Sequence, residues 1–168
     1  MTADNSAISV QIQTWLPRPS REEEPGCYPW RVKSPEQGHR EVEHTADWGL
    51  DVWAPDLQGL IEEAARGMFE LMGVEVSEES RSHRQLEIGA DDREQLLVSF
   101  LEELLFIADS EEVAFDGFLL NVQETSLVAR LEGGFIVERS KEIKAVTYHY
   151  LDVEETGRGL KTRIIFDV

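Results

Sequence analysis

The sequence predicts an α+β fold, a two-layer domain with a largely antiparallel sheet and two main helices. Three patterns carry this reading: period-two alternation from Glu41, two stripes at helical spacing between residues 57 and 108, and glycine-punctuated β-type runs from Val113 onward.

Residues 1–38 read as a proline-rich N-terminal arm, and residues 39–168 as the domain itself. Pro17, Pro19, Pro25, Pro29 and Pro35 are five of the chain's six prolines, and Arg21-Glu22-Glu23-Glu24 is a charge run. Residues 8–12 alone have the pattern of a short strand, and Trp15 and Trp30 are candidates to dock the arm onto the body.

In the domain, Val42, His44, Ala46, Trp48, Leu50 and Val52 alternate with Glu41, Glu43, Thr45, Asp47, Gly49 and Asp51. This period predicts one or two strands with one buried face. Pro55-Asp56 supplies a stop and an N-cap. Leu57, Leu60, Ile61, Ala64, Met68, Leu71 and Met72 then recur at helical spacing, and Gly73 ends the helix. Val74 and Val76 open a strand, and residues 85–88 alternate as another. Asp91-Asp92 caps a second helix whose stripe is Leu96, Leu97, Phe100, Leu101, Leu104, Leu105 and Ala108, with Glu94, Glu102 and Glu103 on its wet side. Further strands are expected at residues 113–115, 118–123, 126–132, 142–153 and 159–166, with turns at Gly133-Gly134 and Gly157-Arg158-Gly159.

Charge and composition narrow the function. The formal net charge is −18, from 34 acidic and 16 basic residues. Such a surface repels phosphate backbones, so direct nucleic-acid binding is not expected. A basic protein partner or a bound cation is the natural counterpart. Hydrophobic residues make up 41% of the chain, enough for a sizeable core. The single cysteine, Cys27, permits no intrachain disulfide and fits a reducing compartment. No apolar run approaches the roughly 20 residues that span a bilayer. Residues 1–10 lack a basic start and a continuous apolar region, so the expectation is a cytoplasmic protein without a membrane anchor. The local marks of common enzymes are missing: there is no Gly-x-Ser-x-Gly elbow, no phosphate-cradling glycine loop and no paired zinc spacing. The expectation is a non-enzyme.

Two carboxylates stand apart from the many on the surface. Asp47 follows His44-Thr45-Ala46 where an apolar strand would otherwise continue, and Asp167 follows the last apolar run, Ile164-Ile165-Phe166. Each reads either as a strand-end carboxylate facing water or as a ligand of a hard cation, which takes carboxylate and carbonyl oxygens.

Four blocks carry a family resemblance: Glu43-His44-Thr45-Ala46-Asp47-Trp48-Gly49-Leu50, Ala64-Ala65-Arg66-Gly67-Met68-Phe69, Lys144-Ala145-Val146-Thr147-Tyr148-His149, and Ile164-Ile165-Phe166-Asp167-Val168. In order and spacing they resemble the archease family, over residues 41–168. The resemblance implies a non-enzymatic cofactor of an RtcB-type RNA ligase, the enzyme that seals tRNA halves after intron removal. The cofactor promotes guanylylation of the ligase and its multiple turnover. The resemblance also implies a metal site, calcium in the family with magnesium or manganese as alternatives, held by Asp47, Asp167 and the main-chain oxygen of Val168. A free carboxylate on Val168 would add negative charge there. His44, Lys144 and His149 are supporting candidates. His44 also reads as a hydrogen-bonded core histidine and Lys144 as a solvated strand charge, while Tyr148 reads as packing. Trp48 departs from the family, which more often has a smaller aliphatic residue there. Two other readings stand beside this one: a metal-dependent phosphoester hydrolase working from Asp47, Asp167 and His44, and a general chaperone-like binding module. The first lacks a general base with a positioned partner.

Overall fold

Local rules account for both helices. The computed structural model describes residues 11–13, 36–43 and 47–168. Asp56 caps α1 (Leu57–Met72), its side chain accepting from the Gly59 amide at 2.8 Å. Asp92 caps α2 (Arg93–Glu111) in the same way, accepting from the Gln95 amide at 2.7 Å. Each such cap contributes about 1 kcal/mol. Gly73 closes α1 in the left-handed region, with φ 62°, a conformation that costs a residue with a Cβ more. Glu112 closes α2 in the same region without being a glycine.

The strands are β1 (Gln11–Gln13), β2 (Gly38–Glu43), β3 (Trp48–Ala54), β4 (Val74–Gly89), β5 (Val113–Gln123), β6 (Ser126–Arg139), β7 (Ala145–Thr147), β8 (Glu154–Thr156) and β9 (Gly159–Asp167). All pairings are antiparallel, and the α+β class expected from the sequence is the class observed. The strands divide between two sheets, one ordered β1-β4-β6-β5 and the other β2-β3-β9-β7 with β8 on β9. Both helices touch strands of both sheets. This explains why their apolar surfaces are so broad: α2 buries Leu96, Leu97, Val98, Phe100, Leu101, Leu104, Leu105, Ile107 and Ala108. Leu60, Ile61 and Met68 of α1 join Leu50 of β3, Leu86 of β4 and Phe166 of β9 in the same core. Each such side chain contributes roughly 1.5–3 kcal/mol through burial.

Several boundaries differ from the expectation. The two segments starting at Val74 and Gln85 are one strand, β4, interrupted by register shifts before Arg81. Residues 113–115 and 118–123 likewise form one strand, β5, with a shift between Phe115 and Gly117. Asp116 at that bulge is held by Arg66 of α1, which donates to its carbonyl at 2.9 Å, and by the Arg81 guanidinium on its carboxylate. Gly133-Gly134 is not a turn but the middle of β6. A Cβ on Gly133 would lie 1.8 Å from the Ala114 carbonyl oxygen, and one on Gly134 2.4 Å from that of Ser77. Close approach of two neighbouring backbones, not chain reversal, selects glycine at this pair. Of residues 142–153 only Ala145–Thr147 pair as a strand, because a turn at His149-Tyr150, with Tyr150 at φ 57°, leads the chain away. On α2, Glu103 is half-buried instead of wet. The Gly157-Arg158 turn joins β8 to β9 as expected, with Thr156 opposite Gly159.

Of the arm, Gln11–Gln13 pair with β4, Ile12 opposite Leu86. The expected strand at residues 8–12 overlaps this segment at two positions. The rest of that strand, the charge run, the five prolines, Trp15, Cys27 and Trp30 lie outside the described residues.

Candidate metal centre

β3 and β9 run antiparallel from Ala54 opposite Leu160 to Trp48 opposite Phe166. Asp47 immediately precedes Trp48, and Asp167 immediately follows Phe166, so both aspartates stand at the same end of one ladder. Opposed residues in such a ladder have Cα atoms about 4.5–5.5 Å apart. Phe166 is fully buried, and the two-residue period turns Asp167 to the opposite, exposed side. Asp47 is half-buried. The separation of 120 positions along the chain is thus closed by one strand pairing.

β7 brings Lys144 to the same end. Ala145 is opposite Asp167. The Lys144 amide donates to the Asp167 carbonyl at 2.8 Å, and its ammonium donates to the Val168 main-chain oxygen at 2.9 Å. The backbones of four sequence candidates, Asp47, Lys144, Asp167 and Val168, therefore lie at one end of this sheet. His44 lies outside the described residues. His149 does not join them: it is exposed in the turn after β7, four residues beyond Ala145, with its ring 4.0 Å from that of Tyr150. Tyr148 is also exposed, in contrast to the packing role expected from the sequence. Glu102 and Asp92 raise its phenol pKa further after burial, the largest cause. Trp48 is covered by the Lys141 ammonium, 4.6 Å from its ring centre, which also reaches Glu41 at 3.5 Å.

Two carboxylates and a carbonyl oxygen are hard donors of the kind that calcium, magnesium and manganese accept, with water completing the shell. Among the described residues no group of three or more His, Cys, Asp or Glu side chains is placed to hold a metal, so an ion held at this ladder end would need main-chain oxygen and water beside the two aspartates. Beyond Lys144 an open cleft of about 480 Å³ lies against α2, lined by Glu102, Leu105, Phe106, Asp109, Ser110, Lys144 and Ala145.

A second polar cluster escaped the sequence reading. His39 of β2 lies between Glu63 and Glu70 of α1, at 2.9 and 2.8 Å. Glu63 is wholly buried and also accepts from Gln37 at 3.2 Å. One local signal was present: Glu63 lies three residues after Leu60, inside the apolar stripe of α1.

Comparison with known proteins agrees with this architecture. The sequence profile of the Archease protein family matches residues 39–168. The archease of Methanothermobacter thermautotrophicus is 35% identical over 133 residues, covering 74% of this chain and 94% of that protein. The archease of Sulfurisphaera tokodaii is 33% identical over 134 residues, covering 75% and 95%. The solution structure of Methanobacterium thermoautotrophicum protein 1598 superposes with a TM-score of 0.59 at 32% identity, covering 78% of this chain and 99% of that one. The crystal structure of a Thermotoga maritima archease, described as a possible chaperone, has the same fold, with a TM-score of 0.58 at 23% identity, covering 82% and 98%. The chain belongs to the archease family.

Proposed function

We propose that this protein is a non-enzymatic cofactor of an RtcB-type tRNA-splicing ligase, promoting its guanylylation and multiple turnover with a divalent ion held by Asp47, Asp167 and the Val168 main-chain oxygen. Family membership supports the accessory role. The observation that carries the site is the register of β3 on β9, which sets Asp47 and Asp167 at one ladder end. Calcium is the ion proposed, with magnesium or manganese as alternatives of the same ligand preference. When bound, the ion neutralises two like charges that otherwise oppose each other. The chain's own residues then do the rest: β3 and β9 fix the aspartates, and the Lys144 amide fixes the chain at the Asp167 carbonyl. The net charge of −18 favours a basic rim on the ligase and speeds the encounter. No helix of the described residues is long and apolar enough to cross a membrane. A cytoplasmic site of action is part of the proposal.

The test is multiple-turnover ligation by the cognate ligase with and without this protein. Increased turnover, lost in Asp47→Ala and Asp167→Ala, is expected. Unchanged turnover would refute the activator role. The Thermotoga relative's description supports a second reading, a chaperone-like binding module. Capture of many unrelated clients and no ligase would favour it. Phosphoester turnover lost in Asp47→Asn would favour a hydrolase instead.

A further inference from the structure

We propose that Lys144 is a built-in counter-cation of this site, holding the Val168 oxygen in the ion-free protein and yielding it to the incoming divalent ion. The inference rests on the metal reading above and adds a residue that sets the affinity of the site. Its basis is a direct contact: the Lys144 ammonium is 2.9 Å from the oxygen assigned to the ion. The backbone of the same residue is fixed at 2.8 Å to the Asp167 carbonyl, so the side chain departs from an anchored base. One oxygen cannot serve an ammonium and a divalent ion together without bringing two cations within a few ångströms. In that competition the ion must displace the ammonium.

The displaced ammonium has a second seat. Lys144 also lines the cleft whose α2 wall carries Glu102 and Asp109. Asp109 is already paired with Arg139 at 2.5 Å. Glu102 has no ion-pair partner among the described residues. The four-carbon stem of lysine permits the swing without backbone movement. Ion binding would thereby place a positive charge in the cleft beside the exposed ring of Phe106. Occupancy of the ladder end is then sensed on the face of α2.

Lys144→Gln separates charge from tether, because the glutamine amide still donates a hydrogen bond but carries no charge. Calorimetric titration of the full chain with calcium chloride is the measurement, on native protein, Lys144→Gln and Lys144→Arg. Lys144→Gln is expected to bind on the order of tenfold more tightly than native, and Lys144→Arg no more tightly. Equal or weaker binding in Lys144→Gln, with native protein binding normally, overturns the counter-cation and leaves the metal reading intact. No heat in either native protein or Lys144→Gln overturns both. A separate readout is the NMR signal of dimethylated Lys144, identified by its absence in Lys144→Gln. It should shift on calcium addition, and a signal unmoved at saturation refutes the displacement.

Discussion

The imidazole of His39 on β2 lies 2.9 Å from a carboxylate oxygen of Glu63, a side chain that α1 buries completely. Its other nitrogen lies 2.8 Å from Glu70. A neutral imidazole donates one hydrogen bond only, and ionised carboxylates only accept, so this arrangement calls for the imidazolium. The Glu63 hydrogen bond is the main cause of a pKa raised above 6.5. Burial opposes it, and Glu70 adds to the rise. A raised folded pKa means that the folded state binds more protons than the unfolded state. The His39 contribution is therefore complete below pH 6.5 and is lost as pH rises through the raised value. Thermal melts from pH 5.5 to 9 should show a falling Tm in this window. His39→Gln should flatten the slope and cost about 2 kcal/mol at pH 6, because a buried carboxylate loses its charged partner. A pH profile identical in native and His39→Gln protein contradicts the assignment.

Asp51 makes the converse prediction at acid pH. Arg163 holds its carboxylate at 2.6 and 3.1 Å, and Arg40 adds a bond at 2.9 Å. The Arg163 hydrogen bond is the largest cause of its pKa lying below 3.8. Here the unfolded state binds the proton more readily. The contribution is present above pH 3.8 and fades as pH falls through the lowered value. The guanidinium groups are more than half exposed, so solvent screening limits the effect. Asp51→Asn should cost about 1 kcal/mol at pH 7 and less at pH 3. Denaturant unfolding at the two pH values measures the difference.

The two glycines in β6 give a prediction of steric origin. A Cβ on Gly133 would lie 1.8 Å from the Ala114 oxygen and 2.7 Å from two further backbone atoms. None of these is the end of a flexible side chain. Gly133→Ala should destabilise the domain by on the order of 3 kcal/mol or more, whereas Gly157→Ala, where nothing lies within 4 Å, should be nearly neutral. Urea midpoints of the two variants decide, and equal midpoints would mean that β5 can move aside from β6.

What could be read from the sequence follows the range of the interaction behind each feature. Asp56 and Asp92 were legible as caps because their partners, Gly59 and Gln95, are three residues away. The stripes of α1 and α2 were legible because burial repeats along the helix. Gly133-Gly134 was misread because the reason for glycine lies on β5 and on the Ser77 segment of β4, while locally the pair looks like a turn. Glu63 is 24 positions from His39, so no window on α1 reveals its partner. At the candidate site, the placement of Asp47 and Asp167 at strand ends was visible in the apolar runs beside them. Their proximity was not, since it depends on β3 choosing β9 as its neighbour.

That pairing yields the remaining prediction. Two carboxylates brought within about 4 Å of each other at this ladder end would repel, with no divalent ion present, by roughly 1–4 kcal/mol depending on exposure. An ion that binds the folded chain alone raises its stability by about 2.7 kcal/mol at a hundredfold excess over Kd. In a domain of this size that is a Tm increase of about 5–10 °C. Native protein in chelator should therefore melt lower than in saturating calcium by this amount. Asp167→Asn removes one of the opposed charges, so in chelator it should melt no lower than native protein. It should also lose the calcium-dependent rise, and Asp47→Asn should do the same. Because Lys144→Gln leaves both carboxylates in place, it should retain the rise and reach it at lower calcium. A calcium-dependent rise that persists undiminished in both aspartate variants would place the ion elsewhere on the acidic surface and separate the ladder end from metal binding.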